Sequence, residues 1–190
     1  MIVRAFVLVL VATATLTAAP APIDLTGQAW AGDKPVADAV VWVDVPGAPR
    51  PAHPAPAVLE QRDEQFTPRV LAVQVGTRVE FPNDDRVFHN VFSFHDGKRF
   101  DLGLYPVGTV KYVPFDQPGL SRIFCNIHPQ MAAYVMAVDT PFFAVTDASG
   151  RFAIHDLPSG DHPFHAWRPG GTTIDGTTTD GASELEVRWP

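Results

Sequence analysis

The segment Cys125-Asn126-Ile127-His128-Pro129-Gln130-Met131 offers a thiol, an imidazole and a thioether at three-residue intervals, and Cys125 is the only cysteine among 190 residues. Donors spaced this way converge on one point only from a short loop whose ends are held by neighbouring elements. Both flanks read as strands: Leu120 to Cys125 leads into the loop, and Ala133 to Val138 leads out of it. Alternation along the first puts Ile123 and Cys125 on one face and Arg122 and Phe124 on the other. The thiol therefore stands at the inner end of a strand, immediately before the loop that carries His128. Upstream, His89 is an isolated histidine in the apolar, strand-like run Val87-Phe88-His89-Asn90-Val91.

The remainder of the chain predicts an all-β protein. Nineteen prolines and fourteen glycines break it into short apolar runs, and no stretch beyond the N-terminal segment keeps a helical period. Val70 to Val75 and Thr77 to Phe81 read as strands about Gly76, and Val87 to Phe94 and Thr109 to Phe115 continue the series. Strands this short, each with one apolar face, pack as a sandwich.

Each candidate donor has an ordinary explanation when taken alone. A free cysteine often behaves as a small buried hydrophobe. His128 reads as a loop histidine, Met131 as core filler at the head of Ala132 to Met136, and His89 as a hydrogen-bonded core histidine. Taken together they favour a metal, because an unpaired thiol in an exported chain pairs with another chain, reacts, or binds a metal. Two histidines and a thiolate in a trigonal set, with a weak methionine on the axis, are the donors of a blue-copper site. Zinc prefers closed tetrahedral sets of Cys, His and carboxylate.

Asn83-Asp84 followed by His89-Asn90-Val91, then Phe115-Asp116-Gln117-Pro118-Gly119, then the Cys125 to Met131 loop resembles, in order and spacing, the cupredoxins. The likeness is to plastocyanin-like and amicyanin-like members, including methylamine-utilisation-like proteins, and it covers Gln65 to Val138. The gap between His128 and Met131 matches the short amicyanin type of loop. The resemblance implies a Greek-key sandwich over residues 60–138 that holds one copper ion with His89, Cys125, His128 and Met131. Met136 is the rival for the axial place. It further implies that Asn90 ties the two ligand loops together near the sulfur. His128 would be the electron port, with Pro129, Gln130 and Ala132 as the docking patch for a redox protein that binds transiently. No enzyme activity is implied.

A second, smaller β-sandwich is expected from the rest. Phe142 to Thr146, the turn Asp147-Ala148-Ser149-Gly150, and Arg151 to Ile154 form a hairpin-like unit, followed by Leu157-Pro158-Ser159-Gly160. In Glu184 to Trp189, Leu185, Val187 and Trp189 alternate toward a core. This segment resembles the transthyretin-like, carboxypeptidase-regulatory-like sandwich. Gly27 to Trp30 and Pro35 to Val43 look like the first strands of the same module. The expectation is a discontinuous domain of residues 23–45 and 139–190 with the other unit inserted in it, a tandem arrangement being the alternative. Pro46 to Pro56 is an extended linker into the insertion.

Residues 1–21 read as a secretory signal, with Arg4, the apolar run Ala5 to Val11, and small residues at Thr17, Ala18, Ala19 and Ala21. The run is too short to span a bilayer, so no membrane span is expected once it is cleaved, and the protein is expected in the periplasm or otherwise exported. The formal charge of −7 argues against nucleic acid or an anionic membrane as partner and permits a basic redox partner. His95 reads as a solvated loop residue, and Asp84-Asp85 and Asp63-Glu64 as exposed turn charges. His155, His162 and His165 are not expected to form a second metal site, since His162 and His165 should point to opposite faces of a strand. No Ser-His-Asp arrangement, phosphate loop or carboxylate pair supports hydrolysis or phosphoryl transfer. Besides electron transfer, two readings stay open: copper handling or delivery by the same ligands in a more open site, and an extracytoplasmic binding module with a secondary copper site.

Overall fold

Apolar and polar residues alternate most cleanly along Thr77–Pro82, and in the computed structural model Thr77, Val79 and Phe81 of that strand face inward while Arg78 is exposed. The model describes residues 21–94 and 96–190. The expected leader therefore lies outside the described residues except for Ala21, and so does His95. Among the described residues every regular element is a strand.

Two sheets pack around the buried ends of the donor loop, Cys125 and Met131. One runs in the order β10 (Phe100–Tyr105), β9 (His89–Ser93), β12 (Gly119–Phe124), β13 (Ala132–Val138) and β7 (Val70–Gln74). The other runs β11 (Val110–Phe115), β8 (Thr77–Pro82) and β4 (Ala57–Val58). Their inner faces share a core in which Leu59, Phe81, Phe115 and Ile123 expose no surface. Burial of a side chain of that size contributes about 1.5–3 kcal/mol. Cys125 and Met131 belong to this same core. A hairpin of β5 (Glu60–Arg62) and β6 (Gln65–Thr67) lies beside it. Its two turn residues, Asp63 and Glu64, both take left-handed backbone angles, with φ of 51° and 55°.

The N-terminal strands pair with C-terminal ones. β1 (Ile23–Ala31) lies antiparallel to β15 (Arg151–Leu157) and parallel to β18 (Glu184–Trp189), with the short β2 (Lys34–Pro35) at its end. β3 (Val40–Val43) lies between β14 (Phe143–Val145) and β16 (Pro163–Trp167), and β17 (Ile174–Thr177) completes that sheet. These two sheets close over a core of their own, with Leu25, Ala29, Val41, Val43, Ile154 and Val187 at its centre. In β18, Val187 and Trp189 are buried whereas Glu184, Glu186 and Arg188 are exposed, the alternation of a half-buried strand.

A third cluster, Val40, Val70, Met136, Val138 and Trp167, joins the two halves, and the rings of Tyr134 and Trp167 meet edge-on at 5.2 Å. β13 is therefore buried on both faces. Ala133, Val135 and Ala137 face the core that contains Cys125, while Met136 and Val138 face Trp167.

Candidate metal centre

His89 is the first residue of β9, opposite Tyr105 on β10, and is completely buried. The turn that delivers it is fixed by Asn83, also fully buried, whose Nδ2 donates to the carbonyls of Val87 (2.9 Å) and Tyr105 (3.2 Å). The Asn83 Oδ1 accepts the backbone N–H of Asp85 at 3.2 Å. Tyr105 is anchored in turn, its hydroxyl receiving the Gln61 Nε2–H at 2.6 Å and donating to the Phe81 carbonyl at 3.1 Å. Burial pushes the Tyr105 phenol well above its ordinary range, against the bond from Gln61, so it stays a neutral prop.

Asp85 decides which nitrogen His89 presents. Its Oδ2 stands 2.9 Å from His89 Nε2 and also accepts the backbone N–H of Glu64 at 2.7 Å. Burial works to raise the Asp85 pKa, but the bonds donated by Glu64, His89 and the Arg86 N–H outweigh it and hold the carboxyl at about 2. An ionised carboxylate only accepts, so the proton of His89 sits on Nε2 and Nδ1 turns its lone pair inward. The expectation that Asp85 is an exposed turn charge is thus overturned: only 9% of it is exposed. Its burial comes from donors on a separate hairpin, which the local sequence does not reveal.

The other donors hang from the end of β12. Cys125 is buried and unpaired. The loop after it closes on itself through Met131 N–H to the His128 carbonyl (2.9 Å) and Cys125 N–H to the Met131 carbonyl (3.4 Å). This turn brings His128 back over the thiol. Cys125 Sγ lies 3.9 Å from His89 Nδ1 and 3.8 Å from His128 Nδ1, and the two Nδ1 atoms are 3.1 Å apart. A triangle with those sides has a point about 2.1 Å from every corner, the length of a metal–imidazole bond and near that of a metal–thiolate bond. Imidazole lone pairs facing at 3.1 Å repel unless a proton or a cation lies between them. These residues form the one group of three or more His, Cys, Asp or Glu donors close enough to hold a metal among the described residues.

Met131 is 1% exposed and sits in the core cluster that contains Cys125, whereas Met136 faces the cluster around Trp167. Met131 is the thioether on the donor side. The role expected of Asn90 needs correction. Its side chain is buried, but Nδ2 donates to Asp101 on β10 at 2.8 Å and not to the Cys125 loop, and Oδ1 has no partner. β9 pairs with β10 on that side, so the amide is drawn to the neighbouring strand.

Pro129, Gln130 and Ala132 are exposed beside half-buried His128. Ile127 (47% exposed), Val87 (40%) and Phe88 (52%) flank the same two ligand segments and extend an apolar surface there that the sequence reading missed. Apolar side chains next to a ligand are the signal that was available. The histidines of the C-terminal region do not gather. His155 pairs with Asp24, His162 Nε2 meets the Pro158 carbonyl, and His165 lies between Asp44 (3.1 Å) and Asp175 (2.6 Å) while stacked on Trp42.

No family model and no curated protein matches the chain. Solved structures do resemble part of it. A purple cupredoxin from Nitrosopumilus maritimus aligns with 43% of this chain and 99% of its own length at 26% identity, with a TM-score of 0.40. Amicyanin from Paracoccus versutus aligns with 50% of this chain and 86% of its own at 21% identity and TM-score 0.40. The Cu-containing nitrite reductase from Thermus scotoductus aligns with 52% of this chain at 25% identity and TM-score 0.44, and this chain spans 25% of that one. In each case the likeness is confined to about half of this chain or less.

Proposed function

We propose that this chain is an exported type 1 copper protein that passes single electrons between redox partners. The observation that carries this reading is the triangle of Cys125 Sγ, His89 Nδ1 and His128 Nδ1, with edges of 3.8, 3.9 and 3.1 Å, beside buried Met131. The donor set suits copper: thiolate and thioether favour the reduced ion, and imidazole suits both states. When bound, copper supplies a one-electron couple.

The residues of the chain do the rest. Cys125 binds as thiolate. Asp85 accepts at His89 Nε2 and so leaves Nδ1 facing the other donors, and the bonds of buried Asn83 hold the turn that delivers the ring. Two strands of the same sheet anchor the loop that carries Cys125, His128 and Met131, so donors move little when the charge at the site changes. His128, the least buried of the donors, faces the surface where a partner docks on Ile127, Pro129, Gln130 and Ala132 together with Val87 and Phe88. Small, weak encounters are typical of redox pairs.

Under the same reading, residues 60–138 are the cupredoxin unit, inserted into a discontinuous sandwich of residues 23–45 and 139–190. Pairing of β1 with β15 and β18, and of β3 with β14 and β16, supports that division. The leader-like pattern of residues 1–21, with Arg4 before an apolar run and small residues after it, supports export. The test is the visible absorption and EPR spectrum of the purified protein after adding Cu(II). Intense blue colour with a small copper hyperfine splitting is expected. A colourless protein, or an ordinary tetragonal Cu(II) spectrum, overturns the reading in favour of copper delivery or a binding module.

A further inference from the structure

We infer that Glu64, at the tip of the β5–β6 hairpin, is a positioning residue that ties the two ligand segments to each other, the part that Asn90 does not play. Its backbone N–H donates to Asp85 Oδ2 at 2.7 Å, the same oxygen that stands 2.9 Å from His89 Nε2. Its side-chain Oε2 accepts the Gln130 Nε2–H at 2.6 Å, and Gln130 is the neighbour of Met131 in the loop of Cys125 and His128. One residue thus bonds to the support of one histidine ligand and to the loop that carries the other. The hairpin is fit to be the fixed point. Gln61, completely buried, donates to the Pro82 carbonyl at 3.0 Å and accepts the Asp84 N–H at its own carbonyl at 3.0 Å. Glu64, Asp85, Arg86 and Gln130 line one depression beside the site.

Because the Glu64 and Gln130 side chains are exposed, their bond adds little to global stability. Its effect is local, on how often the ligand loop opens. Glu64→Gly removes the carboxylate but keeps the N–H that Asp85 needs, and glycine accepts the left-handed backbone. Glu64→Gln keeps an oxygen acceptor for Gln130, and Gln130→Ala removes the partner.

In the metal-free protein, hydrogen exchange at the Met131 amide is expected to quicken about fivefold or more in Glu64→Gly and Gln130→Ala, to stay near the parent rate in Glu64→Gln, and to quicken no further in the Glu64→Gly/Gln130→Ala double variant. After copper loading, Glu64→Gly is expected to lose Cu(I) to bicinchoninate about tenfold faster. This second readout rests on the copper reading, whereas the exchange readout decides the inference even if no copper binds. Parent-like exchange in Glu64→Gly, exchange in Glu64→Gln as fast as in Glu64→Gly, or effects that multiply in the double variant would each overturn it.

Discussion

Asp85 Oδ2 and His89 Nε2 lie 2.9 Å apart at a place where the histidine has no exposed surface. The pair fixes the imidazole tautomer before any metal arrives. Asp85→Asn keeps the shape but replaces a charged acceptor by a neutral one. Metal affinity is expected to fall about 10–100-fold, the usual cost of losing such a partner. Competition with a chelator of known affinity measures it, and an unchanged affinity would show that the carboxylate does not tune the ring.

Cys125→Ser should abolish the thiolate-to-copper absorption while leaving the fold intact, because serine fits the space of the buried thiol. A blue Cys125→Ser protein would sink the ligand assignment outright.

Met131→Leu preserves an apolar side chain of similar volume in a site that is 1% exposed. Under the copper reading, copper is expected to stay bound and its reduction potential to rise, since a thioether is lost while the thiolate and two imidazoles remain. Cyclic voltammetry of both proteins on one electrode is the check, and an equal or lower potential in the variant contradicts axial ligation by Met131.

Gly27, opposite Leu185 in the β1–β18 ladder, has no room for a side chain: a Cβ there would lie 2.2 Å from the Leu185 carbonyl oxygen and 2.4 Å from the Phe152 ring. Gly27→Ala is expected to destabilise the protein by about 1–3 kcal/mol as the strand and ring move apart. A denaturant midpoint equal to that of the parent would show that the strands yield freely.

Where a strand has one wet and one dry face, the sequence reveals it. Thr77–Pro82, Gly119–Phe124 and Glu184–Trp189 alternate visibly, and the spacing of Cys125, His128 and Met131 marks them as candidate donors, of which Cys125 and His128 meet His89. β10 was missed because Gly103, at φ 64°, interrupts it and Leu104 points to solvent (57% exposed), so its pattern is broken on both counts. The β5–β6 hairpin was missed because its strands are polar and its turn takes two successive left-handed residues without the Asn-Gly signal that such turns favour. Asp85 looked like surface charge because its partner Glu64 lies 21 residues away, and the bond from Gln130 to exposed Glu64, across 66 residues, is equally hidden from local sequence. Local sequence carries periodicity, and a polar side chain's partner is settled only by tertiary packing.

β13 leaves the ligand loop with both faces covered, Val135 toward one core and Met136 toward the other. A one-residue slip would exchange the two sets and spoil both cores, so the register of this strand is strongly specified. Over generations of random change, β13 should therefore be among the slowest parts of the chain to drift. The outer face of β11, where Val110 (55% exposed) and Tyr112 (61%) meet solvent, is free to diverge.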